Sequence, residues 1–207
     1  MSKSYSINDI SKIIFKNIIL ILVLAFVGMG GLGFYAKHKQ TTTYTAERSM
    51  LISHNLERVD YKNSQAMADM DMMQTYADLI QDRQVMAQAR KKLPKSLQRK
   101  YSVADLQSAV DSKNRIGEVI LDIHAKAGEA KDATAIVNAV AEAAKQELPK
   151  MKSGMGQVKL LSKAYTSDAK SKTTPSAKKY AILGFALGAL LGMVIAFVLT
   201  TFKHLIK

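Results

Sequence analysis

Two long apolar segments, one near each end, dominate the pattern of hydrophobic and polar positions along the chain. Residues 18–35 carry no charge, and as a helix rising 1.5 Å per residue they would span roughly 27 Å, enough for the hydrocarbon core of a bilayer. Residues 180–202 are also uncharged and are long enough to cross with some tilt. The pattern therefore predicts two transmembrane helices, with residues 1–17 and 203–207 on one side and residues 36–179 on the other.

A cleaved signal peptide is the alternative for the first apolar segment. The segment is longer than a usual signal-peptide core, and Tyr35-Ala36-Lys37-His38 matches a small-x-small cleavage site poorly. We therefore predict an uncleaved helix. Lysines are similarly frequent near both ends of the two helices, so the positive-inside rule does not orient them.

Glycines recur every fourth residue in the second apolar segment, which gives a helix one smooth stripe. We interpret this stripe as a helix-packing surface, within the chain or between protomers. The alternative is that glycine is simply common in membrane helices. The predicted packing positions in the two segments are Gly28, Gly31, Gly184, Gly188 and Gly192.

Shorter periodic segments fill the middle of the chain and predict an α+β domain in the order strand–helix–helix–strand–helix–strand. Pro94 and Pro149 are expected to end the helices that precede them. Asp132 is expected to cap the third helix. The predicted elements are a strand at 44–52, a helix at 67–93, a helix at 102–110, a strand at 116–124, a helix at 132–148, a strand at 158–164, a linker at 151–156 and a polar connector at 166–179.

Two of these elements depart from a simple apolar pattern. Arg48 interrupts the apolar face of the first strand, which otherwise presents Tyr44, Ala46, Met50 and Ile52. The first helix is rich in methionine, which we interpret as flexible filling of a core. A promiscuous binding face is the alternative.

The formal net charge of +13 lies mainly in the middle of the chain and favours polyanionic partners. A basic cluster around Pro94 is a candidate polyanion contact, and the alternative is a solvated helix end whose cations suit the helix dipole. No aromatic residues are interleaved with these cations to stack on bases, so nucleic acid is not expected. The cluster is Arg90, Lys91, Lys92, Lys95, Arg99 and Lys100.

No motif for catalysis or cofactor binding is present, and we expect a protein without enzymatic activity, cofactor or metal. The chain has no cysteine, so it has no disulfides and no thiolate metal ligands. The four histidines, at 38, 54, 124 and 204, share no ligand spacing. Asp69, Asp71, Asp78 and Asp82 make a metal site conceivable, but we interpret them as a solvated acidic face.

The order of these features resembles the chain-length determinant (Wzz-type) family of polysaccharide co-polymerases. The resemblance runs through the strand YTAERSMLIS, the stretch MQTYADLIQDRQVMAQARKKL, the segment GEVILDIHAKAGEAKDATAIVNAVAEAAKQELP and the final region VKLLSKAYTSDAKSKTTPSAKKYAILGFALGALLG. These cover most of the chain. The short middle domain and the short segment after the second helix are similar to the Gram-positive type.

The resemblance implies a multi-pass plasma-membrane protein with cytoplasmic termini and an extracellular α+β domain. Its members regulate the polymerisation or export of capsular polysaccharide or exopolysaccharide, form homo-oligomers and activate a separate cytoplasmic tyrosine kinase. The expected kinase contact is the segment after the second helix: Phe202, Lys203, His204, Leu205, Ile206 and Lys207.

Two other functions are compatible with the same sequence. A two-helix membrane sensor or adhesin would bind an extracellular ligand with the middle domain. A membrane-bound hydrolase would use the aspartates between Asp69 and Asp82, and it is the more remote of the two.

Overall fold

The computed structural model describes residues 7–55, 57 and 61–205, with side chains described from residue 11 to residue 202 of these ranges. The chain forms two compact units. One is built from the segments up to Thr41 and from Thr173 onward, and the other is Thr42–Lys172. The elements in chain order are α1 (Ile7–Lys16), α2 (Ile18–His38), β1 (Thr41–Ser53), α3 (Lys62–Asp71), α4 (Met73–Ile80), α5 (Arg83–Lys92), α6 (Lys95–Lys100), α7 (Val103–Ala109), β2 (Val110–Asn114), β3 (Ile120–Ala127), α8 (Ala130–Met151), β4 (Gln157–Leu160), β5 (Lys170–Thr174) and α9 (Ala177–Leu205).

The first unit is an antiparallel pair of long apolar helices, α2 and α9. At one end, the Asn17 side chain donates a hydrogen bond to Thr200 Oγ1 at 3.3 Å. At the other end, Gln40 Nε2 donates to the carbonyl of Pro175 at 3.1 Å. Both helices are long and apolar enough to cross a membrane, by length and composition. Most of their large apolar side chains are exposed rather than packed inside the unit.

The second unit is a five-stranded sheet covered by helices on one face. The strand order is β2-β3-β1-β4, and β5 also pairs with β1. β1 pairs antiparallel with β3 in a register that sets Met50 opposite Leu121 and Ala46 opposite Ala125. These residues are buried, whereas Glu47 and His124 on the other face are not. The alternation is that of an antiparallel sheet with one solvated face.

The core lies between this sheet and helices α4, α5 and α8. α8 contributes the longest buried face, with Ile136, Val137, Val140 and Leu148 fully buried. Met73 and Met86 are fully buried in the same core. Met67 and Met70 on α3 are exposed, so core filling describes only part of the methionine-rich stretch.

The helix predicted over residues 67–93 is instead three helices, α3, α4 and α5. The first break lies at Met72 and the second at Gln81 and Asp82. Asp82 has an extended backbone, and its carboxylate accepts a hydrogen bond from the Gln84 N–H at 2.6 Å. This side chain caps α5, and such a local cap competes with helix continuation. The periodicity in the sequence indicated helix correctly but not the breaks.

Two predicted helix ends are also wrong. Asp132 is not the N-cap of α8, because the helix begins at Ala130 and Asp132 lies in its first turn. There it accepts hydrogen bonds from Lys100 Nζ at 2.6 Å and Tyr101 Oη at 3.1 Å. Pro149 does not end α8, which continues to Met151.

The polar segments hold more regular structure than their composition indicated. The connector at 166–179 contains β5, which pairs with β1. β2 follows α7 directly and was not predicted, nor were α1 and α6. The strand expected at 116–124 runs from Ile120 to Ala127, because Gly117, with φ of 76°, lies in the turn between β2 and β3.

Candidate functional site

Arg48 is a buried cation on the apolar face of β1, and it lines two adjacent cavities of the second unit. Its side chain is only 7% exposed. Nη1 lies 3.2 Å from Glu142 Oε1 on α8, and the Glu142 side chain is 47% exposed. No acceptor among the described residues lies within hydrogen-bonding reach of the buried Arg48 Nε. One half-exposed carboxylate therefore partly balances a nearly buried guanidinium.

The first cavity has a volume of about 520 Å³ and is open to solvent. α8 forms one wall with Lys131, Thr134, Asn138 and Glu142. These positions are three or four residues apart and so share one face of the helix. The segment after β4 and Lys92 at the end of α5 also line this cavity.

The second cavity, of about 720 Å³, lies against the solvated face of β1. It shares with the first cavity the side chains of Arg48, Lys163, Ala164 and Tyr165. Lys170 and Lys172 add cations to it, while Glu47 and Asp168 add carboxylates. We call the two cavities together the Arg48 groove.

Asn138 fixes the wall that the two cavities share. Its Nδ2 donates to the carbonyl of Ala164 at 3.0 Å, and its Oδ1 accepts from the Ala164 N–H at 3.1 Å. Ala164 is buried by this contact, whereas Lys163 and Tyr165 on either side of it are exposed. The amide thus holds a short irregular segment so that its two outward side chains line the groove.

The basic cluster around Pro94 does not act as one surface. Arg90 donates from Nε to the Tyr101 carbonyl at 2.9 Å and from Nη2 to the Gln98 carbonyl at 2.5 Å, which ties α5 to α6 and to the residue that follows it. Lys100 is bound to Asp132, and this hydrogen bond raises the pKa of the lysine above its ordinary value. Lys91, Lys95 and Arg99 are exposed, and Lys92 lines the Arg48 groove; those four stay candidates for a polyanion contact.

The aspartates between 69 and 82 do not converge on one point. Asp69 is buried and bonded to His54, whose Nδ1 lies 2.7 Å from Asp69 Oδ1. Asp78 accepts from Gln74, and Asp82 caps α5. Within the described residues, no group of three or more histidine or carboxylate side chains could hold a metal ion. The arrangement gives no support to a hydrolase.

Four of the five glycines singled out in the sequence lie where α2 and α9 come closest. A Cβ on Gly28 or Gly184 would meet the backbone carbonyl of the other residue. A Cβ on Gly188 would lie 2.9 Å from Ala25 Cα, and one on Gly192 would lie 2.8 Å from Ile21 Cα. Gly31 is different, because no atom of the described residues lies within 4 Å of a Cβ placed there.

The residues expected to contact a kinase follow the apolar part of α9. Phe202 is 60% exposed. α9 continues to Leu205, and the side chains of Lys203, His204 and Leu205 lie outside the described set. Ile206 and Lys207 lie outside the described residues altogether.

The Arg48 groove was missed from the sequence, although one of its residues carried a signal. A charged residue on the apolar face of a strand is costly to bury, so Arg48 could have been marked as functional. Lys131, Lys163 and Tyr165 gave no comparable signal, because each is a polar surface position in its own segment.

The chain is similar in sequence to proteins of capsular polysaccharide biosynthesis. The chain is similar to the capsular polysaccharide type 8 biosynthesis protein cap8A of Staphylococcus aureus, with 21% identity over all of this chain and 90% of that protein. It is equally similar, with the same coverage, to the capsular polysaccharide type 5 biosynthesis protein cap5A of Staphylococcus aureus strain Newman. No protein-family model matches the chain.

Proposed function

We propose that this chain is a non-enzymatic membrane protein that regulates the chain length of a capsular polysaccharide or exopolysaccharide and activates a cytoplasmic tyrosine kinase. One observation carries the proposal: the similarity to two capsular polysaccharide biosynthesis proteins extends over the whole chain. It therefore includes both apolar helices as well as the α+β unit between them. Its partners in this function are the polymerase or export machinery and the kinase.

The helix pair supports the membrane part of the proposal. α2 and α9 run antiparallel, so the start of α2 lies beside the end of α9. The hydrogen bond between the side chains of Asn17 and Thr200 joins these two ends. Apolar side chains such as Val23, Val27 and Leu191 are more than half exposed. Lipid would cover these side chains, and a bilayer around the pair would separate the two terminal segments from Thr42–Lys172.

The kinase and oligomer parts of the proposal rest on the resemblance described from the sequence. The segment from Phe202 to Lys207 would reach the cytoplasmic kinase from the inner end of α9. Gly31 lies on α2 with no atom of the described residues close to the place of a Cβ, which leaves that position free to approach a helix of another protomer.

Deletion of the gene, followed by sizing of the surface polysaccharide, tests the main proposal. We expect polymer of altered length distribution or reduced amount, because the machinery would lose its chain-length regulator. Complementation with the wild-type gene should restore both. An unchanged amount and length distribution would contradict the proposal.

Removal of Lys203–Lys207 tests the kinase contact. We expect kinase autophosphorylation to fall, while the truncated chain stays in the membrane fraction because α9 keeps its apolar length. Substitution of Lys3 and Lys12 by glutamine is the control for a loss of charge at the same side of the membrane. Undiminished autophosphorylation in the truncated protein would exclude this segment as the docking site.

The alternative function, a sensor or adhesin, makes a different prediction for the same deletion. The polysaccharide would keep its length and amount, and the phenotype would depend on an external ligand. A gene neighbourhood without glycosyltransferases or a kinase would favour this alternative.

A further inference from the structure

The Arg48 groove holds more positive than negative charge, and most of its cations are unpaired. Lys92, Lys131, Lys163 and Arg48 line the first cavity, against the single carboxylate of Glu142. Among the described residues, no carboxylate lies within 4.0 Å of any of the three lysines. An anionic ligand placed there would meet three mobile ammonium groups and the edge of a fixed guanidinium.

The burial of Arg48 indicates that its positive charge serves a function other than folding. Removing a guanidinium from water is costly unless its charge and its N–H groups are fully matched. Here Glu142 matches part of the charge, and Nε has no acceptor among the described residues. An apolar residue at position 48 would continue the face made by Ala46, Met50 and Ile52 at lower cost. An arginine at that position is explained by a ligand that the guanidinium helps to hold.

The shape of the groove favours an extended ligand over a compact ion. Its two cavities, of about 520 Å³ and 720 Å³, meet at four residues that line both, Arg48, Lys163, Ala164 and Tyr165. Each is in the size range of small-molecule sites. The cations are distributed along both cavities, and the second cavity adds the hydroxyls of Ser162 and Ser171. Spaced cations with intervening hydroxyls match a chain of sugars in which some residues carry a carboxylate.

Tyr165 gives the groove an apolar platform. Its side chain is 62% exposed where the two cavities meet. An aromatic ring can cover the C–H face of a sugar, with its hydroxyl left in water. It is the one Phe, Tyr or Trp side chain among the described residues of either lining, whereas proteins hold single-stranded nucleic acid by stacking successive bases on aromatic side chains.

We propose that the Arg48 groove binds an acidic oligosaccharide, with a sugar carboxylate beside Arg48, Lys131 and Lys163. This inference deepens the proposed function and rests on it, because the ligand would be a segment of the polymer whose length is regulated. Arginine suits such a contact, since its planar guanidinium matches the two oxygens of a carboxylate.

The test is calorimetric titration of the full chain in nanodiscs of neutral phosphatidylcholine, so that no anionic lipid competes. The probes are tetragalacturonate, which carries carboxylates, and maltotetraose, which does not. The groove variant is the double substitution Lys131→Gln and Lys163→Gln, at two exposed positions. The matched control is Lys62→Gln with Lys159→Gln, which removes the same charge from exposed lysines outside the groove.

We expect the wild type and the control variant to bind tetragalacturonate and not maltotetraose. Loss of two charge-assisted contacts should weaken binding of the groove variant by about tenfold or more. Arg48→Lys should also weaken binding, because lysine keeps the charge but lacks the planar guanidinium that can donate two parallel hydrogen bonds to a carboxylate. Since Arg48 is buried, that variant is used only if its thermal unfolding matches the wild type, and the lysine variants decide the test without it.

Three results would overturn the inference. The groove variant could bind tetragalacturonate as tightly as the control variant. Maltotetraose could bind as tightly as tetragalacturonate. Inorganic phosphate could displace tetragalacturonate at equal concentration, which would indicate a general anion site and not a saccharide site.

The outcome separates this inference from the proposed function. If deletion of the gene changes polymer length but the groove variant binds normally, the groove assignment is wrong and the proposed function stands. If the groove binds tetragalacturonate but deletion leaves the polysaccharide unchanged, the proposed function is wrong and the site is that of a sensor or adhesin.

Discussion

Asp69 and Arg48 are both charged side chains buried in the second unit, but their surroundings differ. Both carboxylate oxygens of Asp69 have hydrogen-bond partners. Oδ2 accepts from the His54 N–H at 2.8 Å, and Oδ1 lies 2.7 Å from His54 Nδ1 and 2.9 Å from Gln65 Nε2. The other ring nitrogen of His54 lies 3.2 Å from the Gly154 carbonyl. This network joins the end of β1, α3 and the segment before β4, so we assign Asp69 a structural role.

The network predicts a stability that depends on pH. Burial raises the pKa of Asp69, but the hydrogen bonds from His54 and Gln65 outweigh burial and hold the pKa below its ordinary value. The stabilisation is therefore present above the ordinary pKa of about 3.9 and is lost as the pH falls through the folded-state pKa. Asp69→Asn should lower the free energy of unfolding by about 1–3 kcal/mol at neutral pH, because its amide cannot accept all of these bonds.

The measurement is unfolding of the full chain in neutral detergent over the range from about pH 6 to pH 3. The Asn variant should show a smaller loss of stability across this range than the wild type. Asp71→Asn is the matched control, because Asp71 is exposed and its substitution should change stability by less than about 0.5 kcal/mol. Equal pH slopes for Asp69→Asn and the wild type would contradict the role given to Asp69.

Among single elements, α2 has two kinds of glycine on different faces. Gly28 lies against the backbone of Gly184, whereas Gly30 has open space where a Cβ would be. A methyl group at Gly28 would force the two helices apart. The same methyl group at Gly30 would touch none of the described residues, and alanine is the better helix former.

These two positions give a matched pair of variants. Gly28→Ala should lower the free energy of unfolding of the helix pair by about 1–3 kcal/mol, the usual cost of overpacking. Gly30→Ala should be neutral or stabilising by up to about 1 kcal/mol, because glycine is the poorer helix residue. Unfolding by sodium dodecyl sulfate, followed by circular dichroism, measures both. Equal effects of the two substitutions would show that α2 and α9 do not pack through Gly28.

At the scale of elements, local patterns predicted the type of structure better than its extent. The alternation in β1 and the period of α8 are repeated over many residues, so strand and helix were identified at both places. The breaks within residues 67–93 and the pairing of β5 were not predicted. The break at Gln81 and Asp82 depends on one capping carboxylate, that of Asp82. The pairing of β5 depends on a partner strand far away in the sequence.

For the whole molecule, function depends on which side of the membrane each segment occupies. The antiparallel α2–α9 pair is expected to put both terminal segments on one side. Charge near the helix ends does not choose between inside and outside. The proposed function requires the α+β unit outside, where polysaccharide is assembled or exported.

The absence of cysteine from the chain makes this orientation directly measurable. Ser153→Cys, at an exposed position in the segment before β4, should react with a membrane-impermeant maleimide in intact cells. Ser4→Cys should react only after the cells are permeabilised. The reverse pattern would place the α+β unit in the cytoplasm and contradict the proposed function.

The sequence by itself determined the two apolar helices and the α+β character of the middle. Both follow from composition and from periodicity within short segments, which the chain carries before it folds. Only the tertiary structure decided what the individual side chains do. Arg48, Lys131 and Lys163 come from β1, α8 and the segment after β4, and Gly28 meets Gly184 across two helices. Contacts between residues so far apart in the sequence depend on strand register and helix packing, which no local pattern specifies.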